Sequence, residues 1–232
     1  QNVVREISAI FDTRRLGYKS TLVAMRFPQE SITKAAHHIN QHPGVSHNYA
    51  RNSSFNLWFT LAVPPQEDLN ETVQRLGQET GALAVRMLPT IRLFKIGVNF
   101  DMLAKESDAH NYYSPNGYKD GQDKWNVAEP ITDFEVRVIR ELQTDLPLVS
   151  HPFLGMAQRL GISEADLLAY PADFQARGIM RRYSAVLHHR KAGFTANGMA
   201  VWKVPPERSE EVGRIMAGHP AVTHCYERPT FP

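Results

Sequence analysis

The sequence has little cysteine, no long apolar run and almost no net charge. Its single cysteine among 232 residues, Cys225, excludes a framework of intramolecular disulfides and suits a reducing compartment, so we expect a cytoplasmic protein. No stretch approaches the run of about 20 apolar residues that a membrane-spanning helix needs. The formal charge of +2 is too small to indicate nucleic-acid binding by itself, although ten histidines make the charge depend on pH near neutrality.

Two segments of the chain are nearly copies of each other. The first, at 42–51, reads HPGVSHNYAR, and the second, at 219–228, reads HPAVTHCYER. The flanking segments 27–30 and 204–207 align at the same offset. Packing alone would not require imidazole, phenol and guanidinium groups to recur in register. The repeat therefore predicts two homologous modules that carry chemistry.

Residues 19–100 show the periodicities of one complete α+β module. The pattern alternates between strand-like runs and helical spacing, and Pro and Gly mark the boundaries. The order is βαββαβ, the ferredoxin-like plan. The predicted elements are strand 21–27, helix 32–39, a hairpin of strands 45–51 and 55–63, helix 66–80 and a last strand within 85–100.

The rest of the chain predicts a second, helical element and a second module that is incomplete. Ser163 and Asp166 have the spacing of a capping box that starts a helix, and Pro171 should stop or kink that helix. Three helices are predicted, one from the spacing of residues 134, 138, 139 and 142 and the others at 153–160 and 163–177, and together they resemble a winged helix-turn-helix. The predicted divisions are a wing or linker remnant at 1–18, the first module at 19–100, a linker at 101–130, the helix-turn-helix at 131–182 and the start of a second βαββαβ module at 183–232. Because half a module leaves a strand edge unpaired, we expect a fragment, or an incompletely observed chain, whose missing hairpin comes from elsewhere.

The repeated motif places chemically active residues along one side of a strand. Residues two apart in a strand share a face, so every second residue of the motif should project together. An imidazole, a phenol and a guanidinium in line suit a large, flat, polyanionic ligand. The predicted face comprises Val45, His47, Tyr49 and Arg51 in the first copy, and Val222, His224, Tyr226 and Arg228 in the second. The alternative is that these are ordinary cross-strand residues of a half-exposed sheet.

Four further residues are candidates for binding a ligand, each with a structural alternative. Asn56 and Trp58 lie on the adjoining predicted strand and could line a pocket; alternatively, Trp58 is core and Asn56 bonds backbone near the turn. Arg92 and Lys95 could add positive potential, or merely solvate a strand edge.

The histidine pairs do not predict a metal site of the protein's own. Adjacent histidines on a strand face opposite sides, so His188 and His189 cannot easily chelate one ion, and the pair His37 and His38 has the same weakness on a helix. Neither pair has an accompanying cysteine or carboxylate cluster. We therefore expect no protein-owned metal.

The motifs at 44–51 (GVSHNYAR), 55–61 (FNLWFTL) and 219–229 (HPAVTHCYERP) resemble those of siroheme decarboxylases, and the architecture resembles the Lrp/AsnC class of regulators. Both halves of a two-subunit enzyme occur in one chain, as in a fused form. The resemblance implies removal of carboxyl groups from two acetate side chains of siroheme, on the route to heme or heme d1, by a homo-oligomer or with a homologous subunit. It implies no cofactor, because siroheme carries its own iron.

On this hypothesis His47, Tyr49 and Arg51 are catalytic, whereas His224, Tyr226, Arg228, Asn56, Trp58, Arg92 and Lys95 bind substrate. The residues leave open which acetate reacts first and whether His47 or His224 approaches the iron. A ligand-responsive transcription regulator and a heme-binding sensor are the rival functions. Specific DNA binding is not expected, since the predicted reader helix opens with acidic residues and contains Pro171.

Overall fold

The computed structural model describes residues 3–96, 127–188, 190–196 and 198–231, which divide into two compact units. Of the described residues, the helical unit draws on 3–17, 127–188, 190–196 and 198–200, and the sheet unit on 18–96 and 201–231. In the prediction, the domains follow one another along the chain. In the structure, a segment near each end of the chain contributes a strand to a unit whose other elements lie far away in the sequence.

The sheet unit contains the complete βαββαβ module that the periodicities predict. Its antiparallel strands lie in the order β3 (Val45–Ala50), β4 (Leu57–Val63), β2 (Lys19–Arg26) and β5 (Ala84–Leu88), as a ferredoxin-like fold requires. In chain order the elements are β2, α1 (Ile32–Asn40), β3, β4, α2 (Leu69–Thr80) and β5.

Alternation along the strands gives this sheet one apolar face, which α1 and α2 cover. On β4, residues 57, 59, 61 and 63 are buried whereas those between them are half-buried. Helix α1 buries Ile32, Ala35 and Ile39, the stripe expected from its helical spacing. A fully buried aliphatic or aromatic side chain of this kind contributes about 1.5–3 kcal/mol to the stability of the fold. The two helices therefore stay on this face, and the opposite face of the sheet remains for a functional site.

One last strand is predicted within 85–100, and the described part of that segment contains two, β5 and β6 (Arg92–Ile96). Strand β6 pairs antiparallel with β8 (His224–Glu227), and helix α6 (Ser209–Gly218) lies between the two in the sequence and packs on them. The described part of 201–231 therefore belongs to the sheet unit, where β6 and β8 form a two-stranded sheet of their own. Pairing satisfies backbone groups that β6 would otherwise expose.

The helical unit contains the three predicted helices and a two-stranded wing. The helices are α3 (Asp133–Leu142), α4 (Leu154–Leu160) and α5 (Glu164–Ala176). Ser163 and Asp166 form the predicted capping box. Pro171 does not stop α5, which continues for five more residues to Ala176, so of the two predicted effects, a stop or a kink, the stop does not occur.

The segment predicted as a remnant at 1–18 contains β1 (Val4–Phe11), which pairs with β7 (Met180–Leu187). The start of the predicted second module, 183–187, is thus part of the wing. The predicted linker 101–130 lies outside the described residues except for 127–130, where Glu129 pairs with Arg15. His189 also lies outside them. No helix in the described ranges has the length and apolar character needed to cross a bilayer.

Candidate functional site

The first repeat forms a line of three side chains on the sheet face that the helices leave open. We call His47, Tyr49 and Arg51 the first ridge. The ring centres of His47 and Tyr49 are 6.3 Å apart, and the guanidinium carbon of Arg51 lies 4.9 Å from the centre of the Tyr49 ring. All three residues are exposed. The guanidinium stacks on the phenol ring, which orients it while leaving its N–H groups available for a carboxylate.

The second repeat reproduces this geometry on β8. In the second ridge, comprising His224, Tyr226 and Arg228, the two ring centres are 6.2 Å apart and the guanidinium carbon lies 4.8 Å from the Tyr226 ring centre. The two ridges lie on different sheets of the sheet unit, one on β3 and the other on β8. The predicted alignment of imidazole, phenol and guanidinium therefore occurs in both copies.

Val45 does not join the first ridge as alternation predicted. Val45 pairs with Leu61 and packs against the core, whereas His47 pairs with Thr60, so one extra residue is present in β3 between them. This β-bulge reverses the alternation. Val222 precedes the first residue of β8 and therefore lies outside the strand.

The bulge also brings a hydroxyl group to the first histidine. Ser46 Oγ lies 3.0 Å from His47 Nδ1 and 2.8 Å from Thr60 Oγ1. In the second copy, Thr223 Oγ1 lies 3.0 Å from His224 Nδ1. The sequence reasoning missed Ser46 and Thr223 because alternation assigns Ser46 to the opposite face. The signal that could have identified them is the repeat itself, which preserves a hydroxyl residue immediately before each histidine.

The two arginines differ in burial. Arg51 is exposed, whereas Arg228 is half-buried and donates a 2.6 Å hydrogen bond to the Leu88 carbonyl. Burial lowers the pKa of Arg228 from the ordinary arginine value, an effect that the nearby Tyr226 opposes. Arg228 therefore contributes to the stability of the fold as well as to the second ridge.

Asn56 and Trp58 occupy different environments on the adjoining strand. Asn56 bonds the backbone of Phe27 twice, accepting from its N–H at 2.9 Å and donating to its carbonyl at 2.8 Å. This contact corresponds to the structural alternative for Asn56. Trp58 pairs with Tyr49 across the ladder and so shares its face; its indole N–H donates to the Phe55 carbonyl. Trp58 is thus beside the first ridge.

Arg92 and Lys95 are placed by contacts within the protein. Arg92 forms ion pairs with Glu210 at 3.0 Å and with Glu227 at 3.6 Å, which offset its charge. Lys95 is only 2% exposed, and its ammonium donates to the His219 carbonyl at 3.1 Å. Both residues are thus engaged by the protein itself, Arg92 at the surface and Lys95 in the interior. Burial also raises the pKa of the Cys225 thiol, although Lys95 acts in the opposite direction.

Models of known protein families match parts of both units. The family model for the AsnC-like ligand binding domain matches 15–95 and 191–232, and that for the siroheme decarboxylase NirDL-like HTH domain matches 135–181. A siroheme decarboxylase of Hydrogenobacter thermophilus is 43% identical over 98% of this chain and 66% of its own length. A siroheme decarboxylase NirDL subunit of Paracoccus denitrificans is 30% identical over 100% of this chain and 67% of its own.

The fold also resembles a solved structure. The crystal structure of the siroheme decarboxylase NirDL in co-complex with an iron-uroporphyrin III analogue matches with a TM-score of 0.70 at 35% identity, covering 99% of this chain and 63% of that chain. The chain therefore spans about two thirds of the length of the relatives it matches.

Proposed function

Because the chain belongs to the siroheme decarboxylase family, we propose that it acts as a carboxy-lyase that removes carboxyl groups from the acetate side chains of siroheme. The product is didecarboxysiroheme, a precursor of heme or heme d1. The observation that carries this proposal is the recurrence of one imidazole, phenol and guanidinium geometry in two copies. Two equivalent ridges suit a substrate with two equivalent reactive arms.

Arg51 is the residue that binds the carboxylate in this proposal. Its guanidinium is exposed, permanently charged and stacked on Tyr49, so that its orientation is restricted before a ligand arrives. A bidentate contact with an acetate carboxylate would fix that arm beside the His47 ring. Trp58, on the same face as Tyr49, offers apolar surface to the macrocycle.

His47 is the proton donor for the first ridge. Loss of CO₂ breaks the bond between the carboxyl carbon and the methylene carbon and leaves the electron pair on the methylene, which the conjugated ring system delocalises. One proton from the imidazole then converts the methylene into a methyl group, and solvent returns the proton to the ring. Each arm thus consumes one proton and needs no oxidant or organic cofactor.

The second ridge serves the other acetate arm or holds the propionates. Its histidine and tyrosine repeat the first ridge, whereas Arg228 is bonded to the Leu88 carbonyl and has less freedom to follow a ligand. Either His47 or His224 is a candidate axial ligand of the iron that siroheme brings with it. Asn56, Arg92 and Lys95 are occupied by protein contacts, and we assign them supporting roles.

The proposed partners are siroheme, its decarboxylated products, and a second copy or a homologous subunit. Several relatives are named as alpha, beta, NirH or NirDL subunits, which supports an oligomer. A single cysteine in the whole sequence is compatible with the cytoplasm as the place of action.

Specific DNA recognition is not part of this proposal. The first turn of α5, which would read the major groove, contains Glu164 and Asp166. Both carboxylates would face phosphates unfavourably, and Asp166 is held in the capping box. We assign the helix-turn-helix a structural or dimerisation role.

The test is mass spectrometry of anaerobic siroheme after incubation with the purified protein. Loss of one or two CO₂ is expected, and His47→Ala and His224→Ala should each slow it. His151→Ala, which removes an exposed histidine of the helical unit, serves as the control and should leave the rate unchanged. Binding detected by Soret absorbance without CO₂ release would instead support a sensor or carrier. A salt-sensitive gel shift with one specific DNA fragment would support a regulator.

A further inference from the structure

We propose that Ser46 and Thr223 are positioning residues that hold the imidazole rings of His47 and His224 through Nδ1 and thereby direct Nε2 toward the ligand. This inference rests on the proposed function, because it specifies how each ridge presents its histidine. The contacts that carry it are the 3.0 Å separations between hydroxyl oxygen and Nδ1 in the two copies.

The first of these contacts lies at an irregularity of the strand. In regular pleating Ser46 and His47 would point to opposite faces of the sheet. The bulge places both residues opposite Thr60, and Thr60 Oγ1 bonds the Ser46 hydroxyl at 2.8 Å. Thr60 therefore restricts the position of the Ser46 hydroxyl oxygen beside the His47 ring. Bulges of this kind commonly redirect a side chain at a functional site.

The second contact occurs at the corresponding position of the second copy. Thr223 immediately precedes His224, the first residue of β8, and its hydroxyl lies beside the imidazole ring. The structure before each contact is repeated as well, because the rings of His42 and His219 each accept a hydrogen bond from the backbone N–H two residues further on, at 3.1 and 3.2 Å. Serine in one copy and threonine in the other thus make the same contact to the same ring nitrogen, which indicates that a hydroxyl group is the common requirement.

The chemistry of imidazole explains why such a contact would matter. When one ring nitrogen is engaged, its partner determines the tautomer and the ring orientation, and the other nitrogen becomes the one that meets a ligand. In the proposed reaction the proton travels from Nε2 to the methylene carbon that has lost CO₂. The hydroxyl group neither gains nor loses a proton overall. Its contribution is to limit rotation of the ring, so that Nε2 is aligned when the carbanion forms.

The test removes each hydroxyl while keeping the side-chain volume close to the original. Ser46→Ala and Thr223→Val are compared with Ser46→Thr and Thr223→Ser, which restore a hydroxyl. We expect the deletions to lower the decarboxylation rate roughly 10- to 100-fold, with siroheme binding nearly unchanged and the exchanged hydroxyls recovering most of the rate. Thr144→Ala, which deletes an exposed hydroxyl bonded to the Glu141 carbonyl in the helical unit, is the matched control and should be silent.

Two further measurements separate positioning from general stability. The ¹⁵N chemical shifts of the His47 and His224 ring nitrogens report the tautomer and should change in the deletion variants without any substrate. The pH–rate profile should shift only in those variants. Normal rates together with unchanged ring shifts in Ser46→Ala and Thr223→Val, while His47→Ala is slow, would overturn the positioning role alone. If His47→Ala and His224→Ala are both fully active, the assignment of the ridge histidines fails instead.

Discussion

The guanidinium groups of Arg51 and Arg228 stand over equivalent tyrosine rings at nearly equal distances, and that of Arg228 is also bonded to a backbone carbonyl. The guanidinium carbons lie 4.9 and 4.8 Å from the ring centres of Tyr49 and Tyr226. Arg228 additionally donates to the Leu88 carbonyl and is half-buried, whereas Arg51 is exposed. Arg51 is therefore available to a ligand, whereas Arg228 also contributes to the stability of the fold.

Replacing each arginine by alanine should separate these two contributions. Arg51→Ala should weaken siroheme binding by about tenfold or more, because a hydrogen bond to a charged group is worth about 1.5–3 kcal/mol, while leaving the melting temperature unchanged. Arg228→Ala should also lower the stability, by about 1–3 kcal/mol, because the Leu88 carbonyl loses its donor. Siroheme titration and thermal unfolding measure the two effects. Equal losses of stability in both variants would contradict the distinction.

Asn56 is expected to support the sheet and to have little direct effect on the ligand. Asn56→Ala leaves both the N–H and the carbonyl of Phe27 without their side-chain partner, so we expect a loss of about 1–3 kcal/mol in the free energy of unfolding. Asn52→Ala, in the exposed hairpin loop nearby, is the control and should change stability little. If Asn56→Ala weakened siroheme binding at unaltered stability, Asn56 would belong to the pocket wall.

Gly213 allows helix α6 to lie directly against Phe94. A Cβ atom at position 213 would approach the Phe94 ring to 2.3 Å, and Phe94 is only 4% exposed and has little room to move. Gly213→Ala should therefore destabilise the protein by about 1–3 kcal/mol despite the better helix propensity of alanine. Gly218→Ala, at the last residue of the same helix, meets open space and is the matched control.

Cys225 provides an independent readout of that helix contact. Its sulfur lies 3.7 Å from the Gly213 carbonyl, and burial raises the pKa of the thiol, so alkylation near neutral pH should be slow in the parent protein. Because it is the only cysteine in the sequence, the labelling is unambiguous. Gly213→Ala should accelerate alkylation if the clash lifts α6 from β6. An unchanged alkylation rate together with unchanged stability would show that Phe94 adapts.

Asp12 should make the stability of the helical unit depend on acid pH. Burial alone would raise its pKa, but hydrogen bonds and charges from Arg14 and Arg181 outweigh burial and hold the pKa below the ordinary value of 3.8. The ionised form is thus favoured by folding. Its contribution is complete above 3.8 and is lost as the pH falls through the lower folded pKa.

Asp12→Asn tests this dependence through urea unfolding at several pH values. At neutral pH we expect a loss of about 3–5 kcal/mol, because the two arginines lose a buried partner. The difference from the parent should shrink below pH 3.8 as the parent carboxylate becomes protonated. Asp133→Asn, which changes an exposed residue in the first turn of α3, should show no comparable change. A loss that persists undiminished in acid would indicate packing as the cause.

Local patterns in the sequence were sufficient to predict several elements. The βαββαβ order follows from apolar residues that recur with the periods of strands and helices. The predicted strand 21–27 begins and ends within two residues of the bounds of β2. The capping box at Ser163 and Asp166 needs only residues that are three positions apart. The composition of both ridges was also evident, because the repeat juxtaposes the same residue types in two places.

The pairings between distant segments could not be predicted in the same way. Strand β1 pairs with β7, and β6 with β8, across more than a hundred residues in each case. Alternation specifies that a segment can form a strand, but it does not specify which edge will satisfy its backbone groups. The predicted domain order consequently assigned 183–187 and the described part of 201–231 to one module, whereas the structure divides them between two units.

By itself, the sequence determined which chemical groups are available and the order of elements that presents them, because both depend on short-range spacing. The tertiary structure decided which side each group faces and how much freedom it retains. The bulge opposite Thr60 places Ser46 beside His47 and Val45 against the core. Packing buried Lys95 and tied Arg228 to Leu88. These outcomes depend on hydrogen bonding and burial between segments, both in the neighbouring strands β3 and β4 and across more than a hundred residues, which no local pattern encodes.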